Sequence, residues 1–171
     1  MDRIKKLARF TQKIETEFLQ GVKPNQLIEK LEEKEIDVVV DIRWWSVYPD
    51  YFAPLKLRIL LTKNKIEYLR FQALGNPSVL RKQALGNPEL AKELYLKYIN
   101  SNPKAKEQFL ELFKKIRFRK NYCLICYCEP PKPCHRFWLK QELVNEKRIK
   151  LGFEGNYIIT YYYRNPVPEV N

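Results

Sequence analysis

Two short, almost wholly apolar runs constrain the fold of this chain more than any other feature. They read IDVVVDIR, at residues 36–43, and NYCLICYC, at residues 121–128. A run without alternating polar residues indicates a strand buried on both faces, as the strands of a parallel sheet are. Segments with helical periodicity alternate with these runs. The pattern predicts a three-layer α/β domain with a mainly parallel sheet and helices on both faces.

The segments between the runs supply the remaining predicted elements. Helices are predicted at KPNQLIEKLEEKE, LKLRILLTKN, ELAKELYLKYIN, NPKAKEQFLELFKKI and CHRFWLKQELVNEK, and further strands at IEYLRF and, at a sheet edge, NYIITYYY. The hexapeptide QALGNP occurs twice, at residues 72–77 and 83–88. Its Asn76 and Asn87 are predicted helix N-caps, each with Pro at the first helical position, and Gly86 is predicted to end the short helix between them.

The length and the apolar pattern predict one soluble domain. A chain of 171 residues holds a single full-sized core, predicted over residues 1–164, with a loose tail at 165–171. No apolar run reaches the roughly 18 residues that a membrane span needs. The basic N-terminal segment lacks the apolar core of a secretory signal. We expect a cytoplasmic protein without a membrane partner.

The formal net charge of +12 is high for this length. It favours a polyanionic partner, either an anionic small molecule or a nucleic acid. A lysine-rich surface of the kind found in heat-adapted proteins is the alternative. The densest basic segment, KKIRFRK at residues 114–120, follows a predicted helix, where cations complement the helix dipole. The charge therefore leaves both interpretations open.

All four cysteines and the only histidine lie within residues 123–135. Strand alternation directs Cys126 and Cys128 to one face and Cys123 to the other. The proline-rich turn EPPKP ends the strand and brings the Cys-His-Arg sequence at 134–136 to the start of a helix. Ligands of open α/β sheets bind at such strand-to-helix turns, at the carboxyl ends of the strands. The other buried run ends in Asp-Ile-Arg, so both turns are expected to face one crevice.

The residue types at these turns predict an anion site with a reactive thiol. Unpaired N–H groups at a helix start favour anions and lower the pKa of a cysteine there, so Cys134 is the candidate nucleophile. His135, Glu129 and Asp41 are candidate acid/base or orienting groups. The basic side chains that could hold a phosphate or carboxylate are Arg43 and Arg136.

Each of these residues also has a plainer interpretation. Cys123 is expected to be a core residue, and the other strand cysteines can be core as well. A zinc site formed by Cys126, Cys128, Cys134 and His135 has enough ligands. Its C-x-C-x5-C-H spacing is not a standard zinc pattern, however, so no metal is predicted. A disulfide between Cys134 and a strand cysteine is a further alternative, and the Asp and Arg of Asp-Ile-Arg can simply pair with each other.

An aromatic loop, WWSVYPDYFAP, follows Arg43. Aromatic rings beside an anion site can stack on a base or a sugar, and Trp45 and Tyr48 are the candidates for this role. The alternative is that the rings cover the end of the sheet.

The segments VVVDIR, IEYLRFQALG and CLICYCEPPKPCHRFWLKQEL resemble, in order and spacing, the three blocks of the family called domain of unknown function 488. The resemblance covers about residues 24–148. It implies an α/β fold with a shared crevice but no particular activity, and it adds Tyr68, Gly75 and Cys126 to the candidate ligand-binding residues. The matching positions are Asp41, Arg43, Tyr68, Leu74, Gly75, Cys126, Glu129, Cys134, His135 and Arg136.

The chain departs from the family pattern at two places. The family's first strand ends in Gly-His-Ser, but LARFTQKIE has none of these residues. The segment after Asp-Ile-Arg is aromatic where relatives are basic. Two functions therefore remain: an enzyme that binds an anionic, nucleotide-like or phosphate-bearing ligand with Cys134 as nucleophile, or a basic nucleic-acid-binding module in which the Cys-His-Arg turn is structural.

Overall fold

A computed structural model describes residues 13–45, 50–116, 120–128 and 134–150. Strands and helices alternate along most of this chain. In chain order they are β1 (Ile14–Phe18), α1 (Pro24–Glu33), β2 (Val38–Asp41), α2 (Pro54–Lys63), β3 (Glu67–Arg70), α3 (Ser78–Ala84), α4 (Pro88–Ser101), α5 (Pro103–Lys115), β4 (Tyr122–Cys126) and α6 (His135–Lys150), with 3-10 turns at Asp50–Phe52 and Gln72–Leu74.

The four strands form one sheet in the order β1-β4-β2-β3. Every neighbouring pair is parallel. The central strands β2 and β4 are buried at every residue, as expected for strands covered by helices on both faces. The predicted α/β fold with a parallel sheet is confirmed.

Two hydrophobic cores lie on opposite faces of the sheet. One joins α1 and α2 to the face that carries Val39, Cys123 and Ile125. The other joins α4, α5 and α6 to the face that carries Val40 and Leu124. Neighbouring residues of a strand thus enter different cores, as strand alternation requires, and the predicted core position of Cys123 is confirmed.

The helix starts follow the Asn-Pro signals in two of three cases. Asn87 and Asn102 each accept a backbone N–H from the first turn of the following helix, at 3.1 and 3.0 Å, and Pro follows each of them. Asn76 is not a cap, and this prediction is wrong. Pro77 occupies the N-cap position of α3, and Asn76 is buried beside it. The next helix break lies at Gly86, in the left-handed conformation with φ of 77°, as predicted.

The first strand was not predicted from its sequence, IETEF. Its glutamates break the apolar pattern, and among the described strands β1 lies at the edge of the sheet, beside β4. The residues after it are Leu19, Gln20 and Gly21, so this turn also lacks the family's Gly-His-Ser. The predicted strand NYIITYYY and the tail at 165–171 lie outside the described residues. Within the described residues, no helix is both long and apolar enough to cross a membrane.

Candidate functional site

The carboxyl ends of the two central strands lie side by side. In the parallel register of β2 and β4, Asp41 is paired with Ile125, so the residues after both strands reach the same edge of the sheet. The two strand ends thus lie at one edge, as the sequence predicted, and the expectation that both turns face one crevice stays a prediction. This edge carries two polar clusters, one around Asp41 and one around the cysteines.

Asp41 is the centre of the first cluster. Its carboxylate accepts two parallel hydrogen bonds from Arg43, Nε to Oδ1 at 2.9 Å and Nη2 to Oδ2 at 2.7 Å. The hydroxyl of Tyr68, on β3, donates to Oδ2 at 2.8 Å. Arg43 also donates from Nη2 to the carbonyl of Phe52 at 2.8 Å. Asp41 and Arg43 are fully buried, so this bidentate pair is a desolvated, geometrically fixed unit. Asp41 and Arg43 do pair with each other, which was the plainer interpretation of their sequence.

A second arginine approaches the same carboxylate. Arg70, the last residue of β3, lies with Nη1 3.3 Å from Asp41 Oδ2, and 22% of its side chain is exposed. Oδ2 thus faces Arg43, Tyr68 and Arg70 together. Two guanidinium groups surround one carboxylate, so this corner of the sheet edge has an excess of positive charge. Sequence reasoning did not single out Arg70, although its place at the end of a strand was a usable signal.

The pKa values of this cluster follow from burial and charge. Burial, together with the charge and hydrogen bond of Asp41, raises the pKa of Tyr68 to about 12. Burial alone would lower the pKa of Arg43, but the hydrogen bond and charge of Asp41 outweigh it, and the pKa is raised. At neutral pH both groups are therefore fully protonated donors to Asp41.

Gly75 lies so close to the backbone of residues 42–44 that no side chain fits at this position. A Cβ placed on this residue would lie 2.5 Å from Trp44 N and 2.9 Å from the carbonyl oxygen of Ile42. These are backbone atoms, which cannot move aside as a flexible side chain can. The hydroxyl of Tyr95 fixes the preceding residue by donating to the carbonyl of Leu74 at 2.7 Å. Leu74 and Gly75 thus hold the segment after β2 in place, and neither offers a side chain for ligand chemistry.

The second cluster consists of Cys126, Cys134 and His135, all buried. The ligating atoms of these three residues lie within 4.8 Å of one another. Nδ1 of His135 is 3.7 Å from Cys134 Sγ and 3.9 Å from Cys126 Sγ. The sulfur of Cys128, which is partly exposed, lies 3.9 Å from that of Cys126. All four cysteines of the chain are free thiols, and such a Cys-Cys-His group has the donor atoms to bind a metal ion.

The backbone fixes the tautomer of His135. Its Nε2 lies 3.3 Å from the carbonyl oxygen of Ile42, which can only accept a hydrogen bond. Nε2 therefore carries the proton, and the lone pair of Nδ1 faces the two sulfurs. Burial lowers the pKa of His135 to about 4, so the ring is neutral at physiological pH.

The thiols differ in acidity, but not as the sequence predicted. Hydrogen bonds from the thiols of Cys128 and Cys134 lower the pKa of Cys126, while sharing a proton with Cys126 raises the pKa of Cys134. Cys134 is only 2% exposed. The expectation of a lowered pKa at Cys134 is wrong, because neighbouring sulfurs and burial outweigh the helix start. Its role as a nucleophile stays a prediction.

Arg136 points back to the turn that precedes it. Its Nη1 donates to the carbonyl of Cys128 at 2.6 Å, its guanidinium lies over the ring of Phe137, and it is 1% exposed. Its Nε has no hydrogen-bond partner within the described part of the chain. Arg136 is thus held inside the protein rather than presented at the surface.

Two other predicted residues lie outside the described residues: Glu129 and Tyr48. Trp45 is 68% exposed, so its face is open to solvent, and its stacking role stays a prediction. Trp44, by contrast, packs edge-on against Tyr98, which fits the alternative that rings of this loop cover the sheet end.

Two open surface hollows occur elsewhere. One, lined by residues from Phe18 to Glu33, lies over α1, and the other lies between α2 and the start of β3. The second hollow is lined in part by Tyr68, a member of the arginine-carboxylate cluster.

The chain belongs to the DUF488 family, domain of unknown function, whose model matches residues 23–143. The match includes both polar clusters. No curated protein and no solved structure matches the chain. The family's blocks therefore correspond to one sheet edge, at which the backbone of residues 41–43 separates an arginine-carboxylate cluster from a cysteine-histidine cluster.

Proposed function

We propose that this protein binds a phosphate-bearing ligand, such as a nucleotide, at the carboxyl edge of its sheet. The observation that carries the proposal is the shared Asp41 carboxylate with its two arginines. Arg43 is bound to it in a bidentate pair, whereas Arg70 makes one longer contact at 3.3 Å and is partly exposed. A guanidinium has five N–H donors, so most of those of Arg70 remain for an incoming anion.

The buried pair of Asp41 and Arg43 supports phosphate binding, because Asp41 holds Arg70 in place without neutralising its charge. Asp41 is already matched by Arg43, so the charge of Arg70 is left in excess. Tyr68 holds the shared oxygen from a third direction at 2.8 Å. A preorganised guanidinium of this kind suits the bidentate recognition of phosphate oxygens. The exposed Trp45, four residues after Asp41, is available to stack on a base.

A nucleic acid is the second candidate, in line with the net charge of +12. The buried Cys134 and the inward-pointing Arg136 favour this alternative over catalysis, because a structural Cys-His-Arg turn needs neither an exposed thiol nor a free guanidinium. A nucleic-acid complex would lose affinity steeply with salt, in proportion to the number of phosphates contacted.

The test is equilibrium binding of fluorescent ATP and GTP analogues and of labelled single-stranded RNA and DNA, each at several salt concentrations. Arg70→Gln is the test variant, and Lys63→Gln is the matched control. Lys63 ends α2 and is exposed. Its substitution also removes one positive charge, but near the start of β3 rather than at its carboxyl end. We expect about a tenfold or greater loss of nucleotide affinity in Arg70→Gln, as for one lost charged hydrogen bond, and little change in Lys63→Gln.

Equal losses in both variants would contradict a site at Arg70 and indicate diffuse attraction. Binding of RNA or DNA with a steep salt dependence, and none of nucleotides, would establish the second candidate instead. If neither ligand class binds, both proposals fail.

A further inference from the structure

We propose that Cys126, Cys134 and His135 bind a zinc ion, with Cys128 as the fourth ligand, in a closed structural site. This inference does not depend on the proposed ligand site at Arg70. It rests on the distances between the sulfurs and Nδ1, on the tautomer of His135 and on the burial of Arg136.

Three distances between candidate ligand atoms match those of a tetrahedral zinc site, whereas Cys128 lies outside the group whose ligand atoms are all within 4.8 Å of one another and would have to move closer to complete the site. With Zn–S bonds of about 2.3 Å and Zn–N bonds of about 2.0–2.1 Å, two ligand sulfurs lie about 3.8 Å apart and a sulfur and a nitrogen about 3.6 Å apart. Here the sulfurs of Cys126 and Cys128 are 3.9 Å apart. Nδ1 of His135 lies 3.7 and 3.9 Å from the sulfurs of Cys134 and Cys126.

His135 is oriented as a metal ligand. Metal-bound histidines commonly donate their other ring N–H to a carbonyl or carboxylate, which fixes the tautomer. Nε2 does so with Ile42 O, and the free lone pair of Nδ1 points at the two sulfurs. The pairing of thiolates with an imidazole in tetrahedral geometry selects zinc over hard cations such as magnesium or calcium.

The buried Arg136 also fits this site. It has no carboxylate partner among the described residues, where its hydrogen bond goes to the Cys128 carbonyl. A buried cation without an anion is costly. Zinc bound by three thiolates and a neutral imidazole leaves an excess of one negative charge, which Arg136, at the adjoining position, compensates.

The sequence pointed away from this site because its spacing is unusual. Zinc ligands often come as two Cys-x2–4-Cys pairs from two turns. Here one ligand ends a strand, one follows it after a single residue, and two adjacent residues begin a helix. The zinc would tie the end of β4 to the start of α6 across the intervening loop. Its role would be to hold the end of β4 and the start of α6 together.

The experiment is a cobalt titration of the full-length protein after removal of metal with a chelator. Cobalt reports its ligands directly, since thiolate coordination gives charge-transfer absorption in the near ultraviolet and tetrahedral geometry gives intense visible bands. We expect saturation at one equivalent, both sets of bands, and full displacement by zinc. Weak absorption without the charge-transfer bands would overturn the proposal, and this result needs no variant that might fail to fold.

Variants then assign the ligands, with circular dichroism to verify folding. Cys134→Ser and His135→Asn should each weaken zinc binding by more than the roughly 10–100-fold cost of outer-sphere changes. Cys123→Ala is the matched control, because Cys123 lies on β4 with Cys126 but is buried on the opposite face of the sheet. This variant should bind zinc as the wild type does. Folded Cys134→Ser protein with wild-type affinity would overturn the site. An unchanged cobalt spectrum in Cys128→Ser would overturn the fourth ligand.

Discussion

The ring of His135 donates a hydrogen bond from Nε2 to the main-chain carbonyl of Ile42, 3.3 Å away. Ile42 lies between the two residues of the buried ion pair, Asp41 and Arg43, so this bond connects the cysteine-histidine cluster to the arginine-carboxylate cluster. The parallel register of β2 and β4 brings these residues to one edge, and this bond links the two clusters there. A substitution in either cluster is therefore expected to disturb the other cluster.

Asp41→Asn should strongly destabilise the fold. The substitution removes the charge that matches Arg43, which is fully buried, and breaking a buried pair from one side costs about 3–5 kcal/mol. Urea unfolding measures the loss. The control is Asp50→Asn, since Asp50 forms an exposed ion pair with Lys56, and such pairs contribute about 0–1 kcal/mol. Similar losses for the two variants would contradict the buried role of Asp41.

Gly75→Ala should cost more stability than Gly86→Ala. The new Cβ at position 75 meets the backbone of Trp44 at 2.5 Å, although its φ of −68° suits any residue. At position 86 the space is open, and only the positive φ of 77° opposes alanine, at about 1–2 kcal/mol. Thermal unfolding of both variants gives the order. A smaller loss at position 75 would show that the segment 42–44 can shift away.

Tyr68 should titrate later than an ordinary tyrosine. Its pKa is raised to about 12 in the folded protein, so the folded state favours the neutral phenol. The resulting stabilisation is complete below about pH 10 and is lost as the pH rises through about 12. The measurement is the unfolding free energy of wild type and Tyr68→Phe from pH 8 to 12, in which the advantage of the wild type should shrink above about pH 10. A constant difference would contradict the raised pKa.

Cys134 should alkylate slowly in the folded, chelator-treated protein. It is 2% exposed and its pKa is raised by Cys126 and Cys128, whereas Cys128 is partly exposed and should react first. Peptide mass spectrometry after timed labelling gives the order, and labelling in denaturant supplies the fully reactive reference. Fast labelling of Cys134 near neutral pH would contradict its burial and support its predicted role as a nucleophile.

The parallel sheet was predictable because its central strands are buried on both faces. VVVD and YCLIC have no polar alternation, which is typical of strands that helices cover on both faces. The strand IETEF escaped prediction because its glutamates interrupt the apolar pattern. In the fold, Glu15 pairs with Lys140 and Glu17 with Lys30.

The site was predictable as a set of residues but not as contacts. Strand ends in a parallel sheet meet at one edge, so Asp41 and Cys126 were expected near each other. The sequence did not reveal that Arg43 turns back onto Asp41 or that Ile42 offers its carbonyl to His135. Both depend on the backbone path after β2, which Gly75 fixes from a distant part of the chain. The acidity of Cys134 was mispredicted because the neighbouring sulfurs are brought close only by folding.

His135 is the only histidine of the chain, and this makes one measurement especially direct. The long-range ¹H–¹⁵N correlation spectrum of histidine-labelled protein reports which ring nitrogen carries the proton. We predict a single neutral ring at pH 7, protonated at Nε2 and unprotonated at Nδ1, with the Nδ1 resonance shifting when one equivalent of zinc is added. A ring protonated at Nδ1, or one that titrates freely near its ordinary pKa of about 6.5, would contradict the hydrogen bond from His135 to Ile42 that links the two clusters.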